Sequence, residues 1–510
     1  MTVKKTQKTL NTTLEKTEQT LDGLEQAFDS TVGAGLLANT GLPEEWCEIK
    51  ISEVAEVVAG GTPKAGDPSN FADPGSSIAW LTPADLSKYK SSYISHGKRD
   101  LSQSGYDSSS AKLLPKGSLL FSSRAPIGYV AIASNEISTN QGFKNFVFQS
   151  GVNSLFAYYY LNSIRSLAES LGTGTTFKEI SGATAKKLPF ILPPLAEQTV
   201  IAQTLDTLLA QVDNIKTRLD AIPKILKTFR QSVLAAAVSG KLTEEWRGEN
   251  ECGEWEQVKL SKIVEKIEAG KSLKCTERPP IGDELGIIKI SAVTWGVYDE
   301  DESKTLPSPD LFIESRRVQV GDFLISRANT IELLGNPVIV HAVSKNLMLS
   351  DKVLRLVMAE EDKQWVSMFL RSSKGRKAIE SGSTGNQNSM RNIGQKALLN
   401  IDIPKPNAAE QTQIVHRVKE LFAFADQVEQ QVKNAQKRVN TLTQSILAKA
   451  FRGELTAQWR AENPDLITGD NSAEALLAKI QQERKTFILK KSSRKQATSR
   501  KVKIKEKIKN

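Results

Sequence analysis

The sequence is poor in the residues that build metal centres and disulfide frameworks. It contains three cysteines and three histidines in 510 residues, and they do not cluster. They are Cys47, Cys252, Cys275, His96, His341 and His416. A structural metal needs such ligands at short, regular spacings. We therefore expect neither a disulfide framework nor a structural metal.

Long apolar runs are also missing. Nowhere do eighteen apolar residues follow one another, so no segment predicts a transmembrane helix. The Thr- and Lys-rich N-terminus lacks the apolar stretch of a signal peptide, and we expect a cytoplasmic protein. With 39% apolar and 25% charged residues, the chain is typical of a globular protein. Several domains are expected, because single cores stop growing at roughly 250–300 residues.

The common catalytic motifs are absent or incomplete. Residues 269–272 (AGKS) resemble the end of a phosphate-binding loop, but the first glycine of that motif is replaced by Glu265. The sequence contains neither the tetrapeptide Asn-Pro-Pro-aromatic nor Asp-Pro-Pro-Tyr, which transfer a methyl group to an exocyclic amine. It also lacks the Gly-x-Ser-x-Gly motif of a nucleophilic serine and the His-Glu-x-x-His motif of a zinc-binding helix. Acids and bases near Asp310 have only a loosely nuclease-like spacing and lack a second acid. We expect no catalysis by this chain alone, and an unrecognised nuclease site remains the enzymatic alternative.

The net charge of +10 is concentrated at the C-terminus. Residues 479–510 contain thirteen Lys and Arg and two Glu, so this segment carries +11 and the rest of the chain sums to −1. Such a run is most often a solvated tail, with weak contact to DNA phosphates as the alternative. The isoelectric point by itself therefore says little about DNA binding.

A duplicated segment organises the chain. Residues 194–250 match residues 407–463 at a constant offset of 213 without a gap. The tetrapeptide Ala-Glu-Gln-Thr at 196–199, for example, recurs at 409–412. A match of this length at one offset excludes chance, so the two segments are copies of one unit.

Each copy predicts one long helix with a narrow apolar stripe. The apolar residues recur at alternating intervals of three and four, from Leu205 to Val233 and from Val418 to Ile446. This spacing is typical of a coiled-coil seam, which needs a partner helix. The other copy is the natural partner.

The ends of these helices carry their own signals. Gly240 and Gly453 predict helix C-caps, and Pro223 predicts a lost backbone hydrogen bond and a kink in the first helix only. A weaker trace of the unit places Gln26 nine residues before Gly35. Residues 1–42 are therefore predicted to be a partial helical unit. Packing of this unit beside the distal helix would flank each globular half with helices on both sides.

The segments between the helices are related more loosely. Trp46 corresponds to Trp255, and each segment later carries a short apolar strand and a polar turn with Arg124 or Arg327. Each half is predicted to be a mixed α/β domain of about 150 residues that leads into a long helix. Because the helices match without gaps while the domains do not, the helices share one mechanical role and the domains perform different tasks of one kind.

At these residues the sequence resembles the specificity subunits of Type I restriction-modification enzymes. The similarity covers most of the chain, in that family's order of domain, helix, domain, helix. One departure is that the second copy begins after Pro404-Lys405-Pro406 and has no Pro-Pro-Leu. The segments that carry the resemblance are PPLAEQ (193–198), GSLLFSSRAPIGYVAI (117–132), QSVLAAAVSGKLTEEWR (231–247), AAEQ (408–411), QSILAKAFRGELTAQWR (444–460) and AEALLAKIQQERK (473–485).

The resemblance implies an α+β fold with two target-recognition domains, separated by two long antiparallel coiled-coil helices in a pseudo-two-fold internal repeat. The expected segments are an N-terminal helical segment (1–42), target-recognition domain 1 (43–192), a central helical spacer (193–250), target-recognition domain 2 (251–403), a distal helical spacer (404–463) and a basic C-terminal tail (464–510).

The resemblance also implies a function. The chain would be a non-catalytic subunit that recognises a bipartite double-stranded DNA target and directs adenine methylation and ATP-dependent cleavage. Two methyltransferase (modification) subunits and the restriction/translocase subunits would bind S-adenosylmethionine, ATP and Mg, so that this chain needs no cofactor and no membrane. The alternatives are a protein-binding coiled-coil scaffold without DNA readout, and the specificity subunit of a related methyltransferase-nuclease fusion.

The helix length suits this role. The 28 residues from Leu205 to Val233 span roughly 42 Å at 1.5 Å per residue, while one turn of B-DNA advances about 34–36 Å. Two domains at the ends of such a helix pair would face DNA about one turn apart.

Sequence readout needs polar and cationic side chains on loops that enter a groove. In the first domain we predict DNA contacts from Lys64, Arg99, Ser123, Arg124, Gln141, Lys144, Thr175, Thr176 and Lys178. In the second domain we predict them from Lys271, Lys274, Arg327, Asn329, Lys352, Asn386, Gln387, Asn388 and Arg391.

Overall fold

The structure is a computed structural model that divides into two compact units. The first unit draws on residues 17–217 and 436–510, and the second on residues 1–16 and 218–435. Each unit thus combines one α/β domain with pieces of helix from distant parts of the chain. The residues that the structure describes are 3–31, 41–124, 126–174, 178–250, 253–387 and 390–486.

The chain is 48% helical, and two helices of more than forty residues dominate it. A further helix spans residues 473–486. The helices are α1 (Val3–Thr31), α2 (Ile51–Val54), α3 (Gln103–Asp107), α4 (Ser154–Ser163), α5 (Arg165–Ser170), α6 (Gly182–Lys186), α7 (Leu195–Ala237), α8 (Glu244–Glu249), α9 (Glu360–Arg371), α10 (Ser373–Gly382), α11 (Gln395–Leu399), α12 (Ala408–Phe451) and α13 (Ala457–Glu462).

The first domain is built on a five-stranded sheet in the order β2-β10-β7-β8-β5, and β1 pairs with β11 where the chain enters and leaves. Strand β7 is buried along its whole length. In the core, the ring centres of Phe121 and Phe146 lie 5.6 Å apart. The strands are β1 (Cys47–Lys50), β2 (Ala55–Ala59), β3 (Phe71–Ala72), β4 (Trp80–Leu81), β5 (Tyr93–Ile94), β6 (Asp100–Leu101), β7 (Leu119–Ser123), β8 (Ile127–Ala133), β9 (Ser138–Thr139), β10 (Lys144–Phe148) and β11 (Pro189–Leu192).

The second domain repeats this frame. Its main sheet has the order β13-β20-β16-β18, β12 pairs with β23 at the entrance, and β14 runs parallel to β19 as β4 does to β9. The strands are β12 (Glu256–Lys259), β13 (Val264–Ala269), β14 (Leu285–Ile288), β15 (Ser303–Thr305), β16 (Phe323–Ser326), β17 (Ala328–Asn329), β18 (Pro337–Ile339), β19 (Asn346–Met348), β20 (Val353–Met358), β21 (Ser383–Gln387), β22 (Met390–Ile393) and β23 (Asp402–Lys405).

The predicted seams are the buried faces of α7 and α12. Only Leu208 and Leu421, which are equivalent in the repeat, are half-buried among the eighteen seam residues, and the others are buried. Within the second unit, Phe229 packs on Phe424 at 5.8 Å. The two helices run antiparallel there, because the start of α12 lies near the segment that follows the end of α7. The prediction of two paired long helices is confirmed.

The N-terminal segment forms α1, and its buried residues follow a similar stripe. Leu10 and Leu14 are buried in the second unit, and Leu21 and Leu24 in the first. Also in the first unit, Arg438 of α12 donates a hydrogen bond to Asp22 at 2.5 Å. The helix therefore packs beside the distal helix, as the sequence suggested, while Gly35 lies outside the described residues.

Glycines end both long helices, as predicted. Gly240 follows the end of α7 with φ 74°, and Gly453 follows the end of α12 with φ 77°. This left-handed backbone suits glycine because it has no Cβ. Helix α7 continues through Pro223 as one helix, and the kink expected there stays a prediction.

Replacing Gly453 with alanine is expected to destabilise the protein by at least about 1–2 kcal/mol, the cost of a left-handed conformation for a residue with a Cβ. A Cβ there would also lie 2.3 Å from the Pro43 ring. Chemical denaturation measures the loss. Gly23→Ala is the control: no atom lies within 4 Å of its added Cβ inside α1, so this variant should be slightly stabilised. Equal stability of the two variants would contradict the account.

Candidate nucleic-acid interface

Most of the predicted contact residues gather at one end of each main sheet, where loops connect the strands. We call this end of the sheet the edge. In the first domain this edge is formed where β2 ends, β7 ends and β10 begins, since Lys144 pairs with Ala59. In the second domain β13, β16 and β20 form the same edge, where Ala269 pairs with Leu354. Loops that the sequence separates by more than eighty residues therefore meet at one place in each domain.

In the first domain, Lys64 and Gln141 lie exposed at this edge, and the Thr62 hydroxyl donates a hydrogen bond to Gln141. Lys178 is exposed as well. Thr175 and Thr176 lie outside the described residues.

Internal contacts engage three other predicted residues of the first domain. The Lys144 ammonium lies 3.2 Å from Glu179 and 3.3 Å from the Ser123 hydroxyl. Ser123 is fully buried, and Arg124 lies 3.8 Å from Glu179. Ser123 and Lys144 hold the edge together from inside, and in this conformation they are not available to a DNA base.

Arg99 makes a different internal contact. Its guanidinium stacks over Phe71 at 3.7 Å and lies 5.3 Å from the Trp80 ring. The side chain therefore covers the small aromatic cluster around Trp80. This cation–π contact gives Arg99 a structural role.

In the second domain, the edge contains a cleft of about 700 Å³. Three predicted residues line it: Lys271, Asn329 and Lys352. Lys274 is exposed on the same loop as Lys271, and the Arg327 backbone N–H donates to the Lys352 carbonyl at 2.9 Å.

The hairpin of β21 and β22 extends this edge. Asn329 pairs with Arg391 across β17 and β22, and the Arg391 guanidinium donates to Ser383 and Gly385 within the hairpin. Asn386 and Gln387 lie on β21, and Asn388 lies outside the described residues.

The cleft residues that the sequence did not predict include Lys289, Trp295, Lys304 and Ser350. Lys289 directly follows the apolar strand β14, and Trp295 stands in a Trp-Gly pair outside any apolar periodicity. Both patterns were available in the sequence. Ser350 had no such signal, because only the fold brings it to Lys271.

Other cationic side chains of the second domain form ion pairs in a half-buried cluster. Arg355 donates to Glu268 at 2.8 Å and lies 2.9 Å from Asp322. Hydrogen bonds from Lys266 and Arg355 lower the pKa of Glu268, while burial raises the pKa of Asp322. Arg355 therefore neutralises internal acids.

A buried glutamate fastens the first domain to the helices of its unit. Glu197, at the start of α7, is fully buried and accepts from the Trp46 indole at 2.7 Å. Its other oxygen accepts from Thr456 and Arg460, each at 2.6 Å, and both lie beyond the end of α12. The Arg460 guanidinium also donates to the Gly453 carbonyl at 2.8 Å. We call this set of contacts the first clamp.

The second unit contains the same contacts with the copies exchanged. Glu410, at the start of α12, accepts from the Trp255 indole at 2.8 Å and from Thr243 at 2.8 Å. Arg247 donates to the same carboxylate at 2.8 Å and to the Gly240 carbonyl at 2.9 Å. We call this set of contacts the second clamp. In both clamps, a glutamate at the start of one long helix binds the segment that follows the other long helix.

Comparison with known proteins agrees with these observations. A family model of the type I restriction modification DNA specificity domain matches residues 43–224. The specificity subunit of the type I restriction enzyme EcoKI from Escherichia coli K12 is 41% identical over 356 residues, 68% of this chain and 75% of that protein. This chain belongs to the specificity subunits of type I restriction enzymes. The specificity subunit of EcoBI from Escherichia coli is 39% identical over 67% of this chain and 74% of its own length.

Two solved structures share the fold. One chain, from work on complex assembly and conformational transition of the type I R-M system, has a TM-score of 0.61 at 18% identity over 82% of this chain and all of its own. The HsdS subunit from Thermoanaerobacter tengcongensis has a TM-score of 0.50 at 20% identity, over 81% and 98% of the two chains. The mixed α/β fold with long paired helices is thus the fold of specificity subunits.

Specificity subunits confer DNA target specificity and are not themselves catalytic. Among the described residues, no three His, Cys, Asp or Glu side chains are placed to hold a metal ion. No helix in the described part of the chain has the length and apolarity to cross a bilayer.

Removing the buried carboxylate of the first clamp is expected to be costly. Glu197→Ala leaves the Arg460 charge and the Trp46 indole without their acceptor, a loss of about 3–5 kcal/mol for a buried pair. Thermal unfolding measures it. Glu245→Ala is the control, because the ion pair of Glu245 with Lys4 is 85% exposed on both sides and contributes little. The losses of unfolding free energy in Glu197→Ala and in Arg460→Ala should together exceed the loss in the double variant, because both changes remove the same contact. If the two losses simply added up to that of the double variant, the clamp would be contradicted.

Proposed function

We propose that this specificity subunit gives a type I restriction-modification complex a bipartite DNA target, with one half-site for each α/β domain. The observation that carries the proposal is the duplicated edge, where polar and cationic loop residues meet on two copies of one frame. Because the frames are alike and the loops differ, each domain would read its own bases. The segment boundaries expected from the sequence, with domains at 43–192 and 251–403, belong to this proposal.

The catalytic steps belong to partners in this proposal. Two modification subunits with S-adenosylmethionine would dock along the paired helices and methylate adenine, and restriction subunits with ATP and Mg would cleave. The bacterial DNA that such a complex acts on lies in the cytoplasm, where we place this chain. Outside residues 479–510 the chain has no net positive charge. Partner subunits would therefore supply much of the phosphate neutralisation, and the isolated chain should bind DNA weakly.

Exchanging residues 43–192 for the corresponding domain of another specificity subunit should change one half of the methylated motif and preserve the other half. The reason is that each domain carries its own edge of loops. Mapping methylated adenines after co-expression with the modification subunit measures the motif. Loss of both half-sites would contradict modular recognition, and methylation that is indifferent to deletion of the chain would contradict the function.

Phosphate contacts by the cleft lysines should appear in the salt dependence of DNA binding. For each of Lys271→Gln and Lys352→Gln, the slope of log affinity against log salt should fall by about 0.9, the value for one lost phosphate contact on duplex DNA. Lys262→Gln is the matched control, because Lys262 is exposed before the start of β13, at the end opposite to the cleft. Equal slopes for all three variants would place the DNA elsewhere.

A further inference from the structure

The rim of the second-domain cleft carries an exposed apolar tip. Trp295 and Val297 follow the 3₁₀ turn Ile290–Val293, and each side chain is 73% exposed. Indole offers a large, rigid and mostly apolar surface, which water covers at a cost. Two such side chains at one loop tip are typical of a contact surface.

The fold presents this tip in a fixed position. Gly296 lies between the two side chains with φ 81°, a left-handed turn that suits glycine. Below it, Asn336 donates to the Thr294 carbonyl at 2.8 Å, and Asn329 donates to the Thr294 hydroxyl at 3.2 Å. A loop held in this way loses little conformational entropy when it binds.

Charge around the tip favours a polyanion as its partner. Four lysines line the cleft with Trp295, against the two acids Glu277 and Asp351. Lys271 makes no ion pair within the described part of the chain. Ser350, which is 9% exposed, lines the same cleft, and its buried hydroxyl has no hydrogen-bond partner among the described residues. The other three cleft lysines lie within 4 Å of acids, Lys289 of Glu302, Lys304 of Glu277 and Lys352 of Asp351. An apolar tip beside one unpaired lysine and a lysine-rich cleft matches the mixed surface of a DNA groove.

The first domain has a 3₁₀ turn at the equivalent position, followed by other side chains. Its 3₁₀ turn Pro83–Leu86 also follows the strand that pairs in parallel, and Lys88 then takes a left-handed φ of 67°. Lys88 is the only residue other than glycine with a positive φ among the described residues. Tyr89 beside it is 43% exposed. A left-handed residue thus stands beside an exposed aromatic side chain after this 3₁₀ turn in both domains, as Lys88 with Tyr89 and as Gly296 with Trp295.

We propose that Trp295 is a specificity-determining residue of the second domain. Its indole contacts base edges in a groove of the second half-site, and Lys271 and Lys352 neutralise the flanking phosphates. A base edge with an apolar group, such as the thymine methyl, is accepted there, while a polar edge loses its water without a replacement hydrogen bond. The inference rests on the proposed function and names the residue through which the second domain would discriminate.

The test uses the chain purified with its modification subunits, the wild type and Trp295→Ala. Competition binding compares the cognate duplex with duplexes substituted in the first or in the second half-site. The variant should lose about tenfold to a hundredfold of its discrimination at the second half-site. Discrimination at the first half-site and the salt dependence should be unchanged, and Trp295→Phe should retain part of the preference.

Ile281→Ala is the matched control, because Ile281 is 71% exposed in the same domain and does not line the cleft. It should behave as the wild type, and equal melting temperatures would show that Trp295→Ala is folded. Full second-site discrimination by Trp295→Ala would overturn the inference. So would loss of the modification subunits from that variant, since the tip would then be a protein contact. A wild-type complex that discriminates at neither half-site would instead overturn the proposed function.

Discussion

The structure depends on two buried carboxylates, each of which ties three parts of the chain together. A charge removed from water must be matched by an opposite charge and by hydrogen bonds, or the fold loses several kcal/mol. Glu197 and Glu410 meet this demand with an arginine, a threonine and a tryptophan each. The tryptophan stands at the start of an α/β domain, so each domain is held where it joins the helices.

This constraint explains why the helices are alike while the domains differ. A change in the register of either helix would move the glutamate away from the arginine and threonine that follow the other helix. Within each unit, the clamp therefore ties the start of one copy to the segment that follows the other copy. The loops at the sheet edges carry no such restriction. Thr62 and Lys271 stand on equivalent loops, after β2 and after β13, with different side chains, and the frame beneath them is unchanged.

The sequence predicted the parts of the fold that rest on local patterns. The seam residues, the helix ends at Gly240 and Gly453 and the two related domains follow from periodicity and from the repeat. The site was harder to predict, because burial and pairing depend on tertiary contacts. Lys144 looked like a free cation but is held by Glu179. Trp295 carries a signal in its neighbour Gly296, but its exposure is a property of the folded loop.

Because each glutamate binds residues that follow the other long helix, the two clamps become complete at different times during translation. The threonine and arginine partners of Glu197 are 259 and 263 residues further along the chain, whereas all three partners of Glu410 precede it. On the ribosome the second clamp has all its parts once Glu410 has emerged, and the first must wait for Arg460. The domain that is translated first is therefore the last to be fastened. A chain that stops before Arg460 leaves Glu197 without its arginine, so the first clamp is complete only after translation has passed the second helix.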